Sequence, residues 1–182
     1  MRQLTCVAPG EVEWIEVPEP TLEGPDEALV RPLAVARCEI DPLLIRNGPP
    51  AGVPFALGHE AVASIVAVGS GAAAAGFSVG QIVVPAFQVS CGACGRCGAG
   101  QSAVCERYPV LSDYGMQPLS GVEFGGMLSD VVRVPHAAAM LHAAPVGVTA
   151  GVGGPAGVAD PAAGVLGAGD PTGVADPAPS GL

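Results

Sequence analysis

Residues 58–69 read GHEAVASIVAVG. From Glu60 onward the run is made of small and β-branched side chains and is closed by a glycine, which is the signature of a buried strand. Histidine and glutamate stand side by side at its entry. Working outward, 80–87 (GQIVVPAF) repeats the β-branched pattern and stops at Pro and Gly. Upstream, 12–20 (VEWIEVPEP) alternates apolar and polar before ending in prolines, and 27–38 (EALVRPLAVARC) is strand-like with Pro32 inside it. Proline cannot donate to a ladder, so Pro32 predicts an edge or a bulge. Downstream, 125–135 (GGMLSDVVRVP) reads as a further strand. Helical periodicity over three turns is absent from residues 1 to 144. The expected class is therefore mainly β, an all-β barrel or sandwich with one protruding loop.

That loop is 90–105, SCGACGRCGAGQSAVC. Cys91, Cys94 and Cys97 repeat at CxxCxxC spacing, and Cys105 follows after seven residues. Two-residue intervals let a chain curl so that successive sulfurs face one centre, and four thiolates about 2.3 Å from Zn²⁺ close a tetrahedron. Gly92, Gly95, Gly98 and Gly100 are expected to supply the tight turns and positive φ angles of this wrapping. Arg96 is expected to offset part of the thiolates' negative charge. Such a closed site has no position for water, so the zinc would be structural. An iron–sulfur cluster is the alternative occupant, because CxxCxxC also occurs in ferredoxin-like runs.

Composition narrows the classes. With 182 residues the chain suffices for one well-cored domain, and its formal net charge of −10 argues against a nucleic-acid or anionic-membrane surface. No apolar run has the length of a bilayer span, and no signal peptide is visible near Met1. The expectation is a soluble, cytoplasmic protein, a compartment where clustered cysteines bind metal more often than they pair.

A second set of donors lies before the cysteine loop. Cys38 in ARCEIDPLLI (36–45) and His59 with Glu60 in FALGHEAV (55–62) are of the types that catalytic zinc sites use. Asp41 could orient a histidine by accepting its ring N–H. Read alone, these residues are equally an ordinary core cysteine and a hydrogen-bonded histidine.

Their order adds information. A Cys-x-x-Asp, then Gly-His-Glu, then a four-cysteine loop resembles the zinc-dependent medium-chain alcohol dehydrogenases, over roughly residues 1 to 145. The resemblance implies a GroES-like barrel over 1–145 with a structural-zinc lobe at 90–106. It implies a catalytic zinc held by Cys38 and His59, with Glu60 beside it and able to exchange with bound water, and Asp41 behind His59. It also implies NAD(P) as hydride acceptor and a small alcohol or carbonyl compound as substrate. Ile40 stands where many members have the Ser or Thr of a proton relay, and Gln81-Ile82 replaces their Asp-Arg. The third protein ligand of such enzymes comes after the barrel strands, which makes Asp170 and Asp160 the candidates here.

Residues 146–182 differ in kind. They are rich in Gly, Ala, Val and Pro, with no aromatic, Lys or Arg, and GVADPA occurs at both 157–162 and 173–178. Such a segment buries little apolar surface against its backbone entropy, so low order is expected. VLGAGDPTG (165–173) spaces its glycines one residue too long for GxGxxG, and no βαβ unit follows it. The expectation is a zinc-binding catalytic domain without its nucleotide-binding partner, not competent alone for NAD(P)-dependent alcohol oxidation. An exposed domain face would favour self-association or a partner chain. The alternatives are a non-enzymatic zinc-binding module and a decayed gene product.

Overall fold

The computed structural model describes residues 1–118, 122 and 124–145. Within them eight strands form two antiparallel sheets. The first sheet has the order β2–β1–β4, from β1 (Arg2–Ala8), β2 (Glu11–Glu16) and β4 (Phe55–Ala56). The second has the order β7–β3–β5–β6–β8, from β3 (Ala28–Val35), β5 (Ala61–Val68), β6 (Ile82–Pro85), β7 (Val132–Val134) and β8 (Leu141–Ala143). The mainly β expectation holds. The tail expected to have low order, 146–182, lies outside the described residues.

The strand expected over 60–69 is present as β5, and burial alternates along its first five residues. Ala61, Ala63 and Ile65 are buried while Val62 and Ser64 are only partly so, and the buried face joins Val30, Val83 and Tyr114 in one core. Tyr114 is fully buried in this core, and its hydroxyl stays satisfied by donating to the Arg133 carbonyl at 2.7 Å. Pro32 sits beside a register shift between β3 and β5, and beyond Ala28–Val30, the part of β3 that β7 covers. A bulge on a half-covered strand is where a missing N–H costs least.

One expectation needs correction, and short helices stand between the strands. Helix α1 (Asp41–Asn47) follows Cys38 and helix α2 (Ser70–Ala74) follows β5; at seven residues α1 is too short to show periodicity, although Asp41 and Pro42 in its first turn are start signals. The strand expected over 125–135 is reduced to Val132–Val134. Residues 125–128 instead cross the Gly-His-Glu turn: Met127 N–H donates to the Gly58 carbonyl at 2.7 Å and Leu128 N–H to that of Leu57 at 3.0 Å. Gly125 and Gly126 permit this approach. A Cβ on Gly126 would collide with the backbone carbonyl of Leu57. Gly126→Ala should therefore destabilise the barrel by about 2 kcal/mol or more, measured by denaturant unfolding. Gly98→Ala, which meets open space, should leave that unfolding transition in place. Equal midpoints for the two would refute the steric account.

Candidate metal centres

The cysteine lobe brings its four sulfurs together. All four ligand atoms lie within 4.8 Å of one another, with Cys91 Sγ 3.5 Å and Cys94 Sγ 4.0 Å from Cys105 Sγ. A tetrahedron with Zn–S bonds near 2.3 Å has edges of about 3.8 Å, so the spacing suits Zn²⁺. None of the four is in a disulfide. Amide hydrogens converge on the sulfurs: Cys97 and Glu106 N–H on Cys94, and Cys91 and Arg107 N–H on Cys105, each at 3.4 Å. Such donors favour the thiolate. Those from Cys97 and Glu106 hold the Cys94 pKa at about 6. Desolvation, and the hydrogen bond with Cys94, push Cys97 up to about 12. Sulfurs this crowded resist sharing charge until a cation joins them.

Local structure explains how the lobe wraps. Cys94 caps the short helix α3 (Gly95–Gly98), its side chain accepting from Cys97 N–H. Only two of the four expected glycines take positive φ, Gly92 at 70° and Gly100 at 75°. Gly95 and Gly98 are inside α3. Arg96 does not turn to the sulfurs; its guanidinium donates to Gln101 Oε1 at 3.0 Å.

The second cluster forms where β3 ends and β5 begins. The Glu60 carbonyl accepts from Ala36 N–H at 2.9 Å and holds these two strand ends together. Ligand atoms of Cys38, His59 and Glu60 come within 4.8 Å of each other. Asp41, at the start of α1, accepts from Cys38 N–H at 2.8 Å with Oδ2, while Oδ1 lies 3.5 Å from His59 Nδ1. Both residues are buried, His59 to 4% exposure, and neither Asp41 Oδ1 nor His59 Nδ1 has a hydrogen-bond partner among the described residues. An aligned but incompletely bonded carboxylate–imidazole pair is the arrangement that metal-ligating histidines use. With Nδ1 turned to Asp41, the lone pair left for a cation is that of Nε2. Glu60 is exposed and closes the cluster on its solvent side.

Sequence reasoning missed Phe87. Its ring meets the His59 imidazole edge-on, with centroids 6.2 Å apart, and remains 44% exposed. The available signal was an aromatic just beyond β6, where an exposed large ring needs a reason. Asp160 and Asp170, the candidate third ligands, lie outside the described residues. Among the described residues no helix is long and apolar enough to cross a membrane.

Comparison with known proteins agrees with this layout. The model of the alcohol dehydrogenase GroES-like domain matches residues 24–145. Zinc-type alcohol dehydrogenase B of Aspergillus flavus is 34% identical over 148 residues, covering 81% of this chain and 32% of the relative. A probable zinc-binding alcohol dehydrogenase of Mycobacterium tuberculosis is 31% identical, covering 82% of this chain and 36% of the relative. The chain thus spans about a third of the length of these curated relatives. Among solved structures, alcohol dehydrogenase TADH from Thermus sp. ATN1 superposes with a TM-score of 0.70 at 33% identity, over 80% of this chain and 40% of that one. With its two-sheet fold and cysteine lobe, the chain belongs to the alcohol dehydrogenase GroES-like domain family, of the zinc-type medium-chain group.

Proposed function

We propose that residues 1–145 are the zinc-binding catalytic domain of an oxidoreductase acting on a small alcohol or carbonyl compound with NAD(P). The observation that carries this reading is the pairing of two donor sets of different character in one domain. One is four sulfurs braced by amides. The other is a mixed Cys38–His59–Glu60 group at the mouth of a strand pair. The first suits a structural zinc. In the second, a bound zinc would supply Lewis-acid polarisation of a substrate oxygen.

The chain's own groups have distinct parts. Cys38 and His59 would hold the ion, and Asp41 would fix the imidazole tautomer and support its basicity. Glu60, open to solvent, would supply the third donor among the described residues. Phe87 presents an apolar wall beside His59. Ile40 brings no hydroxyl to relay a proton.

The 182 residues alone do not carry the reaction on this reading. Hydride transfer needs a nicotinamide held against the substrate, and its orientation is worth several kcal/mol of the barrier. The segment after Pro145 offers neither the glycine spacing nor the large apolar residues of a dinucleotide cradle. Zinc analysis of the purified chain combined with NAD⁺ and NADP⁺ titration calorimetry tests both parts. Two equivalents of zinc, one exchanging faster, and no micromolar cofactor binding are expected. Absence of zinc would overturn the metal assignment. Micromolar cofactor binding with zinc-dependent alcohol turnover would overturn the claim of incompetence.

A further inference from the structure

Outside both clusters, one dipeptide combines reactive chemistry with a crowded seat. Asn47 is the single asparagine of the chain, and a glycine follows it. Asn-Gly pairs are prone to spontaneous deamidation, because no Cβ shields the backbone nitrogen that attacks the side-chain amide. Glycine is required at 48 for a separate reason. Its φ of 72° is left-handed, and a Cβ there would stand 2.6 Å from Pro9 N and 2.7 Å from Pro9 Cγ. The fold therefore enforces the labile pairing where α1 ends. The same seat holds the reaction back. Gly48 N–H donates to the Leu44 and Ile45 carbonyls at 3.0 and 3.1 Å, so the attacking nitrogen is bonded back into the helix. The Ile45 carbonyl also accepts from Gly10 N–H at 2.7 Å, and the Gly48 carbonyl from Gln117 Nε2 at 2.9 Å. Asn47 itself is exposed, while Gly48 is buried.

We propose that Asn47 is a site of spontaneous deamidation whose rate is set by opening of the C-terminal end of α1. When that end lets go, Gly48 N loses its proton to solvent base and attacks Asn47 Cγ. A C–N bond forms, the bond from Cγ to the side-chain nitrogen breaks, and ammonia leaves. Water then opens the five-membered imide to aspartate, or to isoaspartate, in which the chain runs through the side-chain carbons. No oxidant, cofactor or second protein is needed. α1 has only seven residues, and a helix that short depends on its tertiary contacts and opens locally. Either product puts negative charge at a helix C-terminus, where the macrodipole opposes it. Isoaspartate also lengthens the backbone by one carbon, which displaces Gly48 from its seat on Pro9. The other end of α1 carries Asp41, 3.5 Å from His59 Nδ1. Conversion therefore loosens the helix that presents the partner of His59; that consequence rests on the reading of the second cluster, and the chemistry at Asn47 does not.

Mass spectrometry reads the conversion directly, as a gain of one mass unit in the peptide that contains Asn47 and as a new isoaspartate isomer. It does so whether or not the second cluster binds metal. The chain is held at pH 8.5 and 37 °C with reductant, either folded or unfolded in guanidinium. The folded wild type should convert roughly ten- to a hundredfold more slowly than the unfolded chain, the effect of one to two hydrogen bonds on the attacking amide. Gln117→Ala removes the side-chain bond to the Gly48 carbonyl. It should speed the folded rate about three- to tenfold and leave the unfolded rate unchanged. Asn47→Gln should abolish the gain in both states over the same period, since the larger ring it would have to close forms far more slowly. The comparison of folded with unfolded wild type stands whatever Gln117→Ala does to global stability. Equal rates in the two states, a folded chain still intact after several hundred half-lives of the unfolded one, or a gain that survives Asn47→Gln would each overturn the proposal. So would a folded Gln117→Ala that converts at the wild-type rate.

Discussion

Cys94→Ser should remove one equivalent of zinc and open residues 91–105 to protease. Three features single out this sulfur. It accepts amide hydrogens from Cys97 and Glu106, it caps α3, and those amides hold its pKa down at about 6, which favours the thiolate at neutral pH. A serine hydroxyl in its place is a hard oxygen donor that stays protonated, so the remaining three sulfurs hold a charged ion with one corner missing. Structural zinc contributes folding free energy directly, and the lobe has little else to hold it: its regular elements are α3 and a 3-10 turn at Ser102–Val104. Metal content after dialysis against a chelator is expected to fall from two equivalents to at most one. Trypsin should cut after Arg96 well before it cuts the barrel. Retention of both equivalents with unchanged proteolysis would remove the cysteine lobe from the list of metal sites.

The contrast between what the sequence disclosed and what it hid has a physical basis. β5 was legible because small and β-branched side chains run from Glu60 to a closing glycine, and such composition is a local property. The sulfur cluster was legible because three of its ligands lie within seven residues of one another, where chain geometry leaves few ways to arrange them. The Cys38–His59–Glu60 group was legible only through the order of motifs, since twenty residues lie between Cys38 and His59 and nothing local brings them together. The failures share one cause. Residues 125–128 are apolar enough for a strand, but a strand there would not allow the backbone contact with Leu57 and Gly58 that seats the histidine. Phe87 against His59, and Tyr108 against His136, are contacts made across the fold with no spacing to announce them. Tertiary contact also decided α1, whose Leu44 and Ile45 are buried in a helix of only two turns.

His59→Ala should abolish the second zinc equivalent while leaving the first in place. The donor set of the second centre is poorer: one sulfur, one imidazole nitrogen and an exposed carboxylate among the described residues. Removing the nitrogen leaves Cys38 and Glu60, too few to hold zinc against a competing chelator. The substitution also strands the Asp41 carboxylate, which already has one oxygen without a partner, so some loss of barrel stability is expected alongside. Cys38→Ser separates the two effects, because it removes a ligand from a half-buried position and leaves the Asp41–His59 contact intact. Asp41→Asn gives the graded result. Its amide can present an oxygen to the imidazole but carries no charge to support it, and zinc affinity at this centre should drop about 10- to 100-fold. Titration against a chromophoric chelator at pH 7.5 resolves the two equivalents by affinity, and circular dichroism checks that each variant is folded. The lobe's equivalent should be indifferent to all three changes, since none of its ligands or amide donors comes from this part of the chain. If folded His59→Ala and Cys38→Ser both keep two equivalents, the Cys38–His59–Glu60 group is a polar corner of the barrel and not a metal centre.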